Sequence, residues 1–213
     1  MNPSDLISRL LILLVAMPFH ELAHAWTADR FGDNTPRMNG RLTINPLAHL
    51  DVFGSLMILV GGFGWAKPVP VNPYALSRRT PSAYMWVSLA GPLANFLLAL
   101  LAAIPLRLNL VAYTYSAQSL IPSPYMILVD FIYINLALML FNLLPLAPLD
   151  GEKVAQYYLP ERWVRVLDNI RPYSPMILMV VIFLMPYLGI DLLGWIIGPP
   201  LYTLTTLLIG GSL

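Results

Sequence analysis

Five stretches of this 213-residue chain are apolar enough and long enough to cross, or nearly cross, a hydrocarbon core of roughly 30 Å: 5–29, 82–106, 123–144, 174–188 and 190–209. Helices that are apolar all round have no face for water, so runs of this kind must lie in lipid or against one another. Composition agrees, because hydrophobic residues make up 58% of the chain and charged residues 11%, where a soluble domain carries about 25%. The expected fold is an all-α polytopic membrane protein with about five to six transmembrane helices. The fourth run is short, and the last two also read as one broken unit. A sixth apolar piece, 52–64, is too short to span and is expected as a short re-entrant or β-hairpin element between the first two long spans.

Charge orders these runs. Arg30, Arg37, Arg41, Lys67, Arg78 and Arg79 fall between the first and second spans, and Lys153, Arg162, Arg165 and Arg171 follow the third, leaving only Arg9 and Arg107 on the other side. The excess of basic residues on cytoplasmic loops predicts an N-terminus outside the cell, a first span running inward and both basic loops in the cytoplasm. With no organelle signal, a multi-pass position in a prokaryotic cell membrane is expected. No removable signal peptide is read, since no basic cluster precedes the first apolar run and no small-residue cleavage site closes it. The formal net charge of +1 gives no basic field for nucleic acid, and the absence of cysteine excludes disulfides, thiolate metal ligands and a cysteine nucleophile. Residues 1–213 read as one membrane-embedded unit, with a core over 5–158 and C-terminal helices over 174–210.

The first span ends in His20-Glu21-Leu22-Ala23-His24. Residues four apart on a helix lie about 40° apart around the axis and about 6 Å along it, so His20 and His24 can converge on one ion, with Glu21 beside it. This His-Glu-x-x-His pattern is a zinc-hydrolase signature. In a soluble helix it arises at no cost, whereas ionisable residues at the centre of a span cost about 2.5–3.5 kcal/mol each and demand a compensating partner. Pro18 loosens the helix just upstream. A catalytic zinc site needs a third protein ligand. The candidates are His49, Asp51, Asp130, Asp150 and Asp191. Asp150 is the best placed, because Pro145 and Pro148 unwind the third span just before it; capping a helix that starts at Gly151 is its competing role. His49 reads as a loop histidine. Asn95, within Gly91-Pro92-Leu93-Ala94-Asn95, and Asn142 are amides in or at the edge of spans. They suit either interhelical hydrogen bonds or the orientation of a substrate backbone and its oxyanion. The run 64–73 holds three prolines and alternating valines, so it is either a connecting loop or an extended edge for an extended substrate.

Together these motifs resemble the site-2 protease family of intramembrane zinc metalloproteases. The resemblance rests on His20, Glu21 and His24, on the Asn-x-x-Pro-x-x-Pro-x-Asp-Gly run from Asn142 to Gly151, on the Gly-Pro-Leu-Ala-Asn motif between them, and on the order of the three core spans. It covers most of 6–158. It implies one zinc ion held by His20, His24 and Asp150, Glu21 as catalytic base, access from the cytoplasmic side, and a re-entrant β element within 40–72. The chain departs from larger relatives in having no PDZ or CBS domain and in carrying the catalytic helix as its first span. The activity expected is that of a zinc endopeptidase cleaving transmembrane segments of membrane-protein substrates, as in regulated intramembrane proteolysis, with Asn142 or Asn95 assisting and the bilayer as its medium. The alternative is a zinc or other metal transporter or channel using the same His and Asp ligands. A third reading is a silent scaffold that binds no metal.

Overall fold

The computed structural model describes residues 3–112 and 122–210. Helix α1 (Leu6–Arg30) is interrupted by a π turn over Ile12–Ala16, where the Met17 N–H reaches back to the Ile12 carbonyl. Pro18, fully buried, follows at once and has no N–H to continue the ladder. The helix is therefore re-registered immediately before His20, a common position for π turns at functional sites.

After the short helix α2 (Thr35–Met38), the apolar piece forms helix α3 (Val52–Gly61), capped by Asp51, whose side chain accepts the Gly54 N–H at 2.8 Å. Gly62, at φ 77°, stops the helix and turns the chain back. Its return is marked by one antiparallel bridge, Leu50 with Ala66, and by the Lys67 N–H on the His49 carbonyl at 2.8 Å. A β carbon on Gly64 would stand 2.0 Å from the Gly54 carbonyl oxygen, so only glycine lets helix and return lie this close. The element is thus a re-entrant helix and its return. Among the described residues no strand forms, because Pro68 and Pro70 have no N–H with which to extend the single bridge into a ladder. Two buried charges tie the return to its surroundings. Arg41 donates to the carbonyls of Ala48, Lys67 and Pro68 at 2.7, 3.1 and 3.2 Å, and Asp33 accepts the Asn72 N–H at 2.6 Å. At the far end Arg9 donates to the Leu59 carbonyl at 2.5 Å, joining the tip of α3 to α1.

Helices α4 (Pro73–Arg79), α5 (Ala83–Arg107) and α6 (Pro124–Asn142) follow, then α7 (Asp150–Tyr158), α8 (Glu161–Ile170), α9 (Ser174–Met179, prolonged by a π turn to Tyr187) and α10 (Leu192–Ile209). Five helical stretches are long and apolar enough to cross a membrane: Leu6–Arg30, Ala83–Arg107, Pro124–Asn142, Glu161–Tyr187 and Leu192–Ile209. α5 is the central one. It runs antiparallel to α1 on one side and to α6 on the other, and Ala99, Ala102, Ala103 and Leu106 pack with Ile132, Leu136 and Leu201. Arg107, at the end of α5, donates to the carbonyls of Leu207 and Leu208 at the end of α10, the latter at 2.8 Å. α10 therefore runs parallel to α5, and the stretch Glu161–Tyr187 returns to the side of the bundle where it began. α8, its first part, buries no residue and exposes Trp163 and Val166.

Candidate active site

His20 and His24 lie one turn apart on α1, 7% and 8% exposed, and face α5. Asp150 opens α7. Gly151 makes that placement possible, since a β carbon there would stand 2.2 Å from the Leu143 carbonyl oxygen and push α7 off the end of α6. Leu149, not Asp150, occupies the capping position, and no side chain caps the helix. The Asp150 carboxylate turns to the histidines instead: its Oδ2 is 3.1 Å from His20 Nε2 and 3.3 Å from His24 Nε2, and the two Nε2 atoms are 3.0 Å apart.

The other ring nitrogens fix the chemistry of this triangle. His20 Nδ1 is 2.6 Å from Asn95 Oδ1, and His24 Nδ1 is 2.7 Å from the Val87 carbonyl. Both partners are pure acceptors, so each Nδ1 carries the hydrogen and each neutral Nε2 presents a lone pair. Two lone pairs and a carboxylate oxygen therefore point at one another, and the buried Asp150 Oδ2 has no hydrogen-bond partner. Such a cluster calls for a cation. Tetrahedral ligands at about 2.0–2.1 Å from zinc stand about 3.3 Å apart, close to the observed triangle. The backbone also leaves the space: a β carbon at Gly91 would lie 2.3 Å from His24 Nε2 and 2.5 Å from His20 Nε2, where an ion would sit. The donor set and the cradle fit a divalent metal of the zinc type. Where a proton rather than a metal supplies that positive charge at His24 Nε2, burial still raises the Asp150 carboxyl, but attraction to the charged His24 and the hydrogen bonding that proton allows outweigh it and hold the group well below the usual carboxylate range.

Glu21 lies beside the cluster, its Oε2 accepting the Val69 N–H at 3.1 Å. Both border a cavity of about 890 Å³, mostly apolar in its lining, that also takes in Asn142, Lys153 and part of the 64–71 run. That volume is at the upper end for small-ligand pockets and leaves room for a stretch of unwound peptide.

Among the described residues, His20, His24 and Asp150 are the group of three that could hold a metal ion. The other sequence candidates have different partners. His49 is fully buried with its Nε2 2.8 Å from the Thr43 carbonyl; Asp51 and Asp191 cap α3 and α10; Asp130 accepts the Ser8 hydroxyl at 2.9 Å. Asn142 borders the cavity and donates to the Leu138 carbonyl at 3.0 Å. Asn95, fully buried, directs its amide hydrogens to the Ala16 carbonyl and Asn135 Oδ1. Sequence reasoning missed Asn135, Val87 and Val69. A polar residue seven positions before Asn142 in an apolar span was a usable signal for Asn135; the other two act through the backbone, which leaves no mark in side-chain type.

The family model described as Peptidase family M50 matches residues 8–121. A Bacillus subtilis protein named "Putative zinc metalloprotease YwhC" is 39% identical over 190 residues, covering 86% of this chain and 84% of its own. Rip2 of Mycobacterium tuberculosis, with the same description, is 32% identical over 196 residues, covering 87% and 68%, and Rip2 of Mycolicibacterium smegmatis is 31% identical over 175 residues, covering 79% and 64%. No solved structure matches the chain. The family match takes in α1 and α5, which carry His20, Glu21, His24, Gly91 and Asn95, while Asp150 lies beyond it. Matched over more than half its length and paired with relatives along most of the remainder, the chain belongs to peptidase family M50.

Proposed function

We propose that this peptidase is an intramembrane zinc endopeptidase, a single unit over 1–213 that cuts transmembrane segments of membrane-protein substrates. The observation that carries the reading is that a buried His20, His24 and Asp150 cluster and the Glu21 carboxylate open on one apolar cavity, within a bundle of membrane-length helices. His20, His24 and Asp150 hold the zinc, in keeping with the zinc metalloprotease names of the relatives. Bound there, zinc supplies Lewis-acid chemistry that acidifies water and polarises a carbonyl.

Glu21 is the general base. Its carboxylate takes the proton of the attacking water and returns it to the leaving amine, while the Val69 N–H holds Oε2 in place. Asn142 spends one amide hydrogen on Leu138 and keeps another for a substrate carbonyl. Asn95 orients His20, since its own amide hydrogens are directed elsewhere. A helical substrate must unwind first, because its carbonyls are engaged in the helix. The extended run beside Glu21 offers backbone groups to a peptide in that unwound form. Basic residues gather at the end of the bundle that holds the site, which supports an outside N-terminus and a site open to the cytoplasm of a cell membrane.

The test compares membrane fragments from cells carrying the wild type and Glu21→Gln, with zinc measured on both purified proteins. Membrane-protein fragments that disappear in a variant still loaded with zinc support the reading. Fragments that persist refute Glu21 as base, and zinc flux through proteoliposomes without any cleavage identifies a transporter.

A further inference from the structure

Behind the metal ligands lies a chain of amides in which every donor and acceptor is forced. Asn135 on α6 is fully buried, and its Nδ2 donates to the Phe131 carbonyl at 2.8 Å. A carbonyl only accepts, so the Asn135 amide has one allowed orientation, with Oδ1 turned away from Phe131 and toward α5. There it meets Asn95, whose Nδ2 lies 3.0 Å from Asn135 Oδ1 and 3.3 Å from the Ala16 carbonyl. Two acceptors on one side of Asn95 settle its orientation in turn, and its Oδ1 is left 2.6 Å from His20 Nδ1. The hydrogen of that bond must come from the imidazole.

We infer that Asn135 is a positioning residue that fixes the tautomer of His20 through Asn95, so that Nε2 always faces the metal cluster with a lone pair. The inference rests on the metal reading above. The anchor of the relay is a backbone carbonyl, which cannot rotate, and the relay delivers that fixed polarity across two helices to a ring nitrogen. His24 needs no such relay, because the Val87 carbonyl reads its Nδ1 directly. Without Asn135 Oδ1, only the longer 3.3 Å contact to the Ala16 carbonyl holds the Asn95 amide, which then turns over in part of the population and offers Nδ2 to His20. A donor there demands an acceptor at Nδ1, which moves the ring hydrogen to Nε2 and points it into the cluster, where it excludes a metal. Asn135 is not itself part of the cavity lining and is bonded to none of the three ligands, so it acts on the site through Asn95.

The experiment uses the full chain in detergent or nanodiscs with zinc as the probe, and reads two quantities besides activity. The first is zinc affinity by chelator competition; the second is the nitrogen spectrum of His20, labelled with 15N, which distinguishes an Nδ1–H from an Nε2–H imidazole. Asn135→Leu keeps the side-chain volume and removes the acceptor. It is expected to weaken zinc about tenfold, the lower end for changes behind a metal ligand, and to populate the Nε2–H form in the metal-free protein. Asn135→Asp keeps an acceptor toward Asn95 and is expected to restore both. The wild type alone keeps the inference open to refutation if Asn135→Leu fails to fold: its metal-free His20 must be in the Nδ1–H form, and an Nε2–H signal overturns the inference. An unchanged zinc affinity and spectrum in folded Asn135→Leu also overturns it. A His20→Ala control separates the two levels. Wild-type zinc affinity in His20→Ala refutes the metal reading itself, whereas loss of zinc there with no effect of Asn135→Leu refutes only the part given to Asn135.

Discussion

Gly91→Ala tests most directly whether a metal is held between α1 and α5. A β carbon at this position would stand 2.3 Å from His24 Nε2, 2.5 Å from His20 Nε2 and 2.6 Å from His20 Cε1. Non-bonded heavy atoms settle at about 3.5 Å or more, so each ring nitrogen must retreat by about 1 Å. Metal sites tolerate ligand displacements of about 0.2 Å, and the added methyl also fills the place of the ion. Zinc affinity is expected to fall at least about 100-fold, or roughly 2.8 kcal/mol. The helix itself gains, because alanine is better than glycine in a helix interior by about 1 kcal/mol, which offsets part of an overpacking cost of about 1–3 kcal/mol. The variant should therefore lose metal without losing its fold. Chelator competition on the detergent-purified protein measures the first, and thermal melting of both metal-free proteins measures the second. Zinc affinity within threefold of wild type, in a folded variant, would refute the assignment of the cluster as a metal site.

Four further outcomes are expected. Glu21→Gln should lower cleavage by a factor of about 10²–10⁴ with zinc content unchanged, and comparable rates in the two proteins would remove Glu21 from the chemistry. Asp150→Asn keeps the shape of the side chain and loses its charge, so zinc occupancy measured by elemental analysis should fall together with activity; full occupancy would leave Asp150 no part in binding. The lowered Asp150 carboxyl stays ionised above its folded value and takes up a proton only as pH falls through it, so 13C spectra of the metal-free protein should show Asp150 ionised at pH 4, and a protonated signal there contradicts the geometry. Because the chain has no cysteine, single cysteines report topology cleanly: Leu108→Cys and Leu207→Cys, both exposed, should be labelled from one face of the membrane and Arg78→Cys from the other. Labelling of positions 108 and 207 from opposite faces would overturn the parallel arrangement of α5 and α10.

Much of the fold is legible in the sequence wherever the apolar run itself is the element. The runs 82–106 and 123–144 become Ala83–Arg107 and Pro124–Asn142, because the apolar length itself defines each helix, and the start of the second carries its own signal in Ser123, which accepts the Met126 N–H, followed by Pro124. The fourth run is less legible. Helix starts at Glu161, well before the apolar 174–188, because α8 alternates charged and apolar residues with a helical period and shows no continuous apolar signal. The direction of α10 was not legible at all, since it depends on Arg107 reaching two carbonyls a hundred residues away. Within the site, His20, Glu21, His24 and Asp150 stand out as ionisable residues at or beside apolar spans, and that contrast is what makes them visible. Asp150 is ambiguous in sequence because an aspartate before glycine also caps helices; Leu149 takes the capping position in the structure. The Val87 carbonyl and the Val69 N–H leave no trace, because backbone groups are the same in every residue.

The register of α1 against α5 explains why the motifs of the two helices share one spacing. Ala16, His20, His24 and Ala28 follow one another at intervals of four along α1, and Ala83, Val87, Gly91 and Asn95 do so along α5. The antiparallel helices meet along these two rows. The Ala16 carbonyl accepts from Asn95, His20 lies over Gly91, His24 Nδ1 meets the Val87 carbonyl, and Ala28 packs with Ala83. Rows of every fourth residue are the ridges by which helices interlock, and small residues let the backbones approach where lipid supplies no hydrophobic drive. Alanine thus closes the crossing at both ends, and glycine opens a gap in its middle just large enough for two imidazole nitrogens and an ion. A slip of one turn would put Asn95 against His24 and Val87 against Ala28, leaving His20 without its hydrogen-bond acceptor and the gap without its ligands. The same contacts that hold the two helices together therefore also set the tautomers and the spacing of the histidines, so the packing of this crossing and the chemistry of the site are specified by one row of residues on each helix.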